Sequence, residues 1–275
     1  MIAPILFAEL VQNSAYCLLS QNKPRLNFAF RRCLFYNSFM EQVNPGKNLI
    51  IQAGERQFAR IPVKTRLITT KDNLEEALKT YLRGRLQQGD LVFLSEKMTA
   101  ASQGRAVPVE QIKPSPLAVF LSRYVSKRPG GIGLAMPQTM QLAIEEAGLW
   151  RILLAGFFSF LTKPLGLKGV FYIIAGDSAR AIDGPCDYTL PPFNKYVVKG
   201  PKNPKGLAQK LSQAIGAPLA IVDVNDWGVR ILGTSKNCPI SKKTLKAALK
   251  DNPLGQASQS TPVGILRLIQ SPLSP

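Results

Sequence analysis

A mixed α/β fold is what this sequence predicts, and three observations carry the prediction. From residue 62 onward, apolar runs of strand length alternate with stripes of helical period. Glycine, proline, asparagine and serine signals fall between them, where turns and helix caps belong. The composition, 45 % hydrophobic and 19 % charged over 275 residues, allows a sizeable core without staples.

Residues 1–39 read differently from the rest. They hold one acid, Glu9, and no basic residue precedes the apolar run at Ile5, so they do not read as a signal peptide. Met40 then opens ordinary-looking sequence. The expectation is a loosely attached extension over 1–39, or a natural start at Met40, with the working part in 40–275.

The elements follow in order. Asp72 and Glu75 have capping-box spacing, and Leu74, Ala77, Leu78, Tyr81 and Leu82 form a helical stripe. A turn at Gln88-Gly89-Asp90 leads into a buried strand, Leu91 to Leu94. Pro116 to Val125 reads as a helix, residues 127–133 as a glycine-rich basic loop, and Pro137 as the first turn of a helix through Glu146. Trp150 to Leu161 is the most apolar stretch. At about a dozen residues it is short of the roughly 20 that a span needs, so it reads as a buried helix and not as a membrane segment. Val170 to Ala175 reads as a strand, and Asn203-Pro204 as the cap of a helix reaching Gly216. Leu219 to Val224 reads as a strand, Ser241 as the cap of a helix to Leu249, and Val263 to Ile269 as a last strand.

Composition limits the chemistry. The chain contains no histidine, and its four cysteines form no C-x-x-C pair. A His/Cys zinc site and Ser-His-Asp or Cys-His catalysis are excluded. The thiols read as reduced, in a cytoplasmic protein. The formal charge of +18 points to anionic partners. The basic residues are dispersed and lack the aromatic pattern of an RNA-binding surface, which argues against nucleic acid.

Seventeen acids stand against 35 bases, so acidic turns at strand ends draw attention. Asp177, Asp183 and Asp187 fall within eleven residues that include Gly184 and Pro185 and directly follow Gly176. Such a turn can converge hard oxygen donors on a divalent cation, or can simply be a tight turn capped by Asp. Asp223, Asn225 and Asp226 form a second set beyond the strand Leu219 to Val222. Ser95-Glu96-Lys97 follows the first buried strand, with Gln103-Gly104-Arg105 close behind; Gly104 permits close backbone approach, and Lys97 and Arg105 suit phosphate. Asp251 to Gln256 reads as a helix terminus and connector. Neither a Walker loop nor G-x-G-x-x-G is present.

Taken in order, these segments resemble the gamma-glutamyl ligases of deazaflavin coenzyme biosynthesis. Leu91 to Lys97 with Gln103-Gly104-Arg105 is similar to that family's strand, Ser-Lys and Glu-Gly-Arg. Ala181 to Gly184 resembles its Asp-x-Ser-Asn loop, and Ile221 to Gly228 its Ser-Asp-Thr strand end. Leu254-Gly255-Gln256 through Pro262 and Arg267 is similar to its ending. The resemblance implies a two-lobed mixed α/β fold, commonly a homodimer. It implies a ligase that uses GTP, or ATP, with Mg²⁺ or Mn²⁺ to join L-glutamate to an anionic acceptor through an acyl phosphate. Asp183 and Asp226 would be catalytic and metal-binding, with Asp223 an alternative ligand. Lys97, Gly104, Arg105 and Gln256 would lie on nucleotide.

The chain departs from the family pattern. Asp183-Gly184-Pro185-Cys186 lacks the Ser-Asn pair, Gln103 stands for Glu, and Lys199 and Lys202 lie in a segment the family makes acidic. These departures imply a divergent branch. Its alternatives are a relative that binds a nucleotide or anionic metabolite without turnover, and a basic nucleic-acid-binding protein.

Overall fold

In the computed structural model, residues 43–125, 132–167, 169–187, 189–225, 228–255 and 259–269 are described. Strands β1 (Ile50–Ala53), β2 (Arg56–Val63), β3 (Leu91–Ser95), β6 (Leu219–Asn225), β7 (Gly228–Thr234) and β8 (Val263–Ile269) form one sheet in the order β1-β2-β8-β3-β6-β7. Strands β3 and β6 are parallel, and the other pairs are antiparallel. A small second sheet pairs β4 (Ala106–Pro108) with β5 (Tyr196–Val198). The class is mixed α/β, as the sequence predicts.

Local chemistry accounts for the ends of the helices. Helix α1 (Leu74–Leu82) is capped by Asn73, whose side chain accepts from Glu75 N at 3.0 Å. The cap is thus one residue later than the Asp72 reading; Asp72 instead accepts from Thr69 N and pairs with Arg66. Helix α2 (Glu96–Ser102) is capped by Ser95 and α3 (Pro116–Ser122) by Ser115. The latter ends three residues short of Val125. Helix α4 spans Pro137–Ala147, and α5 spans Leu149–Thr162. Further on, α7 (Pro204–Ile215) runs from the Asn203 cap to Gly216, and α8 (Lys242–Ala248) starts from Ser241, both as the sequence indicates.

The hydrophobic core includes a cluster that joins the sheet to α8, with Phe58, Leu91, Phe93, Val222, Leu245 and Leu266 at its centre. Another is helical: Ala118, Met140, Ile152, Ala155, Ala175 and Ala179 come from α3, α4, α5 and α6 (Val170–Arg180). In β3, Leu91 and Phe93 face α8 by the two-residue alternation. Gly264 lies across the sheet from Phe93, and a Cβ added to it would sit 2.2 Å from Phe93 Cζ. Gly264→Ala is expected to lower the unfolding free energy by about 1–3 kcal/mol through overpacking, measurable by urea denaturation.

Two expectations are overturned. Val170 to Ala175 is not a strand; it opens α6, which continues to Arg180 through a kink at Gly176. Ala175 and Ala179, one turn apart, are buried in the cluster with Ile152 and Ala155 of α5, and α5 packs along α6. That tertiary packing overrides the β-branched and aromatic preference of Val170-Phe171-Tyr172-Ile173-Ile174. At Gly176 φ is +86°, and an added Cβ would meet the Arg151 guanidinium at 2.9 Å. The second correction concerns Trp150 to Leu161. It is helical, yet within α5 only Ile152 and Ala155 are buried. Trp150, Leu154, Phe157, Phe158, Phe160 and Leu161 stand exposed, because the neighbours of α5 cover one side of it. Among the described residues no helix is long and apolar enough to cross a membrane. The expected extension over residues 1–39, and Met40, lie outside the described residues.

Candidate functional site

The parallel pair sets the site. Ser95, last in β3, aligns with Val222 of β6, so Glu96, the first residue past β3, comes level with Asp223, which lies in the last three residues of β6. This is where ligands bind in sheets of this kind. A cavity of about 280 Å³ opens there, lined by Glu96, Lys97, Asp183, Asp223, Asn225 and Asn252 among others. The small sheet supplies Asp183, whose backbone exchanges two hydrogen bonds of 2.9 Å with Val198. Its carboxylate is half exposed and lies 3.2 Å from Lys97 Nζ.

Charge is crowded at this point. Burial pushes the Glu96 carboxyl up to about 8, and the neighbouring Asp223 and Asp183 push it the same way. Asp223 is also raised, first by burial and then by Asp183. Arg230, at 3.9 Å from Asp223, and Lys97 offset part of this. Glu96 is buried, and its Oε1 has no hydrogen-bond partner. A buried carboxyl without a partner is costly when ionised and is retained where it serves a ligand or a proton.

The sign of the pH effect follows. Glu96 holds a proton in the folded chain at pH values where the unfolded chain has lost it. Folding is therefore opposed progressively as pH rises from the ordinary carboxyl range to about 8. Glu96→Gln, neutral at every pH, is expected to flatten this slope. Denaturation of metal-free protein near pH 5 and near pH 8.5 should show the variant gaining on the parent by several kcal/mol at the higher pH.

Not every acid of the acidic turns converges. Asp183 lines the cavity, whereas Asp177 turns to a second cleft, where Arg230 Nη2 approaches it at 2.9 Å. Asp187 is exposed and does not line the cavity. That set reaches the site from the end of α6, not from the end of a strand. Among the described residues, no group of three or more His, Cys, Asp or Glu is spaced to hold a metal ion. Asp226 and Gln256 lie outside the described residues.

The cations divide as well. Lys97 faces the cavity. Arg105 lines the second cleft, on the far side of Glu96, with Lys202, Arg230 and Lys242. It is largely buried; its Nε donates to Gly200 O, and its Nη2 lies 2.6 Å from Glu146 Oε2. Glu146 also meets Lys199 Nζ at 3.1 Å. Gly104, at φ +71°, follows α2 in the turn before Arg105.

Ser95-Glu96-Lys97 by itself points to Lys97 and gives Glu96 no role. The available signal was an acid placed directly after a wholly apolar strand and a serine cap. Asn252, buried at φ +52° beside the cavity, was also missed as a site residue.

Residues 62–224, more than half of the chain, match the family model described as F420-0:Gamma-glutamyl ligase. No curated protein matches the chain.

Proposed function

Because the chain belongs to the F420-0:gamma-glutamyl ligase family, we propose that it joins the amine of L-glutamate to the carboxylate of an anionic acceptor at the expense of GTP or ATP. The observation that carries this reading is the acid-lined cavity at the ends of β3 and β6, with Lys97 set against Asp183.

In this reading the acceptor carboxylate oxygen attacks the terminal phosphorus and the nucleoside diphosphate leaves. The glutamate amine then attacks the acyl carbon, phosphate leaves and the amine loses a proton. Such chemistry runs by positioning and charge neutralisation, which suits a chain without histidine. Lys97 would meet the phosphate oxygens. Arg105, held by Glu146 and Gly200, would act on the far side of Glu96, toward an anionic portion of a substrate.

The donor set fits a hard divalent cation. Asp183 and Asp223 are oxygen donors whose charges oppose each other, and a bound cation relieves that opposition. Mg²⁺ keeps several waters and needs one or two carboxylates, so a preformed three-acid cage is not required. Asp226 is proposed as a further ligand, and Gln256 and Gly104 as nucleotide contacts. When bound, the cation would supply neutralisation of phosphate charge. Glu96 would set the local field and hold a proton beside the reacting groups.

A second reading, nucleotide binding without turnover, rests on Arg105 being tied to Glu146 in place of lining the cavity. The two separate in one experiment. Purified protein is given GTP or ATP, Mg²⁺ or Mn²⁺, coenzyme F420-0 and L-glutamate, and phosphate is followed. Glutamate-dependent release supports the ligase; metal-dependent nucleotide binding with no release supports the second reading.

A further inference from the structure

We infer that α5 and the turn after it form a docking surface for an anionic lipid bilayer, on which the protein sits without crossing it. Ile152 and Ala155 mark the core-facing side of α5. At 100° per residue, Trp150, Leu154, Phe157 and Leu161 fall on the opposite side, within about 40° of one line. That is the side on which a surface helix normally carries charge. Trp150 is 77 % exposed and Phe160 75 %; in the turn after the helix, Leu165 and Leu167 are 74 % and 57 % exposed. An apolar surface this continuous is rare on a protein with no partner.

Charge selects the occupant. From residue 147 to 176 the chain has no acid, and its charged residues are Arg151, Lys163 and Lys168. Lys163 is exposed at the end of the helix. A second copy would bring the same cations against themselves, on a chain of net +18. An anionic bilayer surface matches both the apolar stripe and the cations. Fourteen residues of helix reach about 21 Å, short of the roughly 30 Å hydrocarbon thickness, so α5 would lie in the interfacial plane. The indole and phenyl rings on the outward side suit that depth.

The inference is independent of the ligase reading. Full-length protein carrying Trp227→Phe, which leaves Trp150 as the sole indole, is mixed with phosphatidylcholine vesicles containing roughly one-third phosphatidylglycerol. The expected result is co-sedimentation with a blue shift of Trp150 emission, both weakened by salt and by pure phosphatidylcholine vesicles. Adding Phe157→Glu and Phe160→Glu, at exposed positions, should cut partitioning at least tenfold with thermal unfolding unchanged. Three outcomes would overturn it: no partitioning, partitioning that survives the double substitution, or a lipid-free blue shift that grows with protein concentration and marks α5 as a dimer contact.

Discussion

Asp183→Asn is expected to remove glutamate-dependent phosphate release, by about 10²-fold or more, while thermal unfolding stays where it is. The two halves of this expectation come from different parts of the residue. Its backbone N–H and C=O are committed to Val198, and Asn keeps both bonds. Its carboxylate is half exposed, faces the cavity and pairs with Lys97. An exposed pair of this type contributes little to stability. Removing the charge therefore strips the proposed cation site of one of its oxygen donors and takes one carboxylate away from Lys97. Equilibrium binding of nucleotide with and without Mn²⁺ should show the metal-dependent increment vanish. Unfolding of the variant would instead make Asp183 a structural turn residue.

Asp90→Ala is expected to lower stability by about 3–5 kcal/mol, the largest effect away from the cavity. Asp90 is fully buried at the entry to β3 and accepts from Arg267 Nε at 2.8 Å, Arg267 Nη2 at 2.7 Å and Gln87 N at 2.8 Å. Truncation takes the carboxylate from a buried guanidinium, whose Nη2 keeps only part of its bonding through Arg85 O. The double substitution Asp90→Leu with Arg267→Leu should recover much of the loss, since the cost lies in the orphaned charge and not in the missing attraction. Urea denaturation of the single and double variants measures the coupling. The pair also ties β8 to the strand that aims Glu96, so a large stability effect with retained phosphate release at low temperature is the expected pattern.

These two residues also show where the sequence was readable. The strand Leu91 to Leu94, the strand Val263 to Ile269 and the helix caps at Asn203 and Ser241 follow from short-range rules, and the structure has them. Val170 to Ala175 defeated those rules. Its residues favour a strand, and the deciding force is long-range: Ala175 and Ala179 fit α5 only as a helix. The hairpin β1-β2 is hard to read because β2 is buried on both faces from Phe58 to Val63, so it lacks alternation and carries Arg60 and Pro62 inside the run, while β1 is only partly buried. In the site, Lys97, Asp183 and Asp223 were legible from acids and bases at element ends. Arg105 was legible as a cation, but its commitment to Glu146 depends on α4, some forty residues away in the chain. Glu96 was hidden for a related reason. Its unusual titration comes from burial and from Asp183 and Asp223, which no local pattern contains.

In the proposed reaction the acceptor carboxylate is activated as an acyl phosphate in this cavity. Coenzyme F420-0 with heavy oxygen in its carboxylate, incubated with the protein, L-glutamate, GTP or ATP and Mn²⁺, tests it most directly. One heavy oxygen is expected in phosphate for each amide formed, because the attacking carboxylate oxygen leaves with the phosphoryl group. Amide formation accompanied by unlabelled phosphate would contradict it.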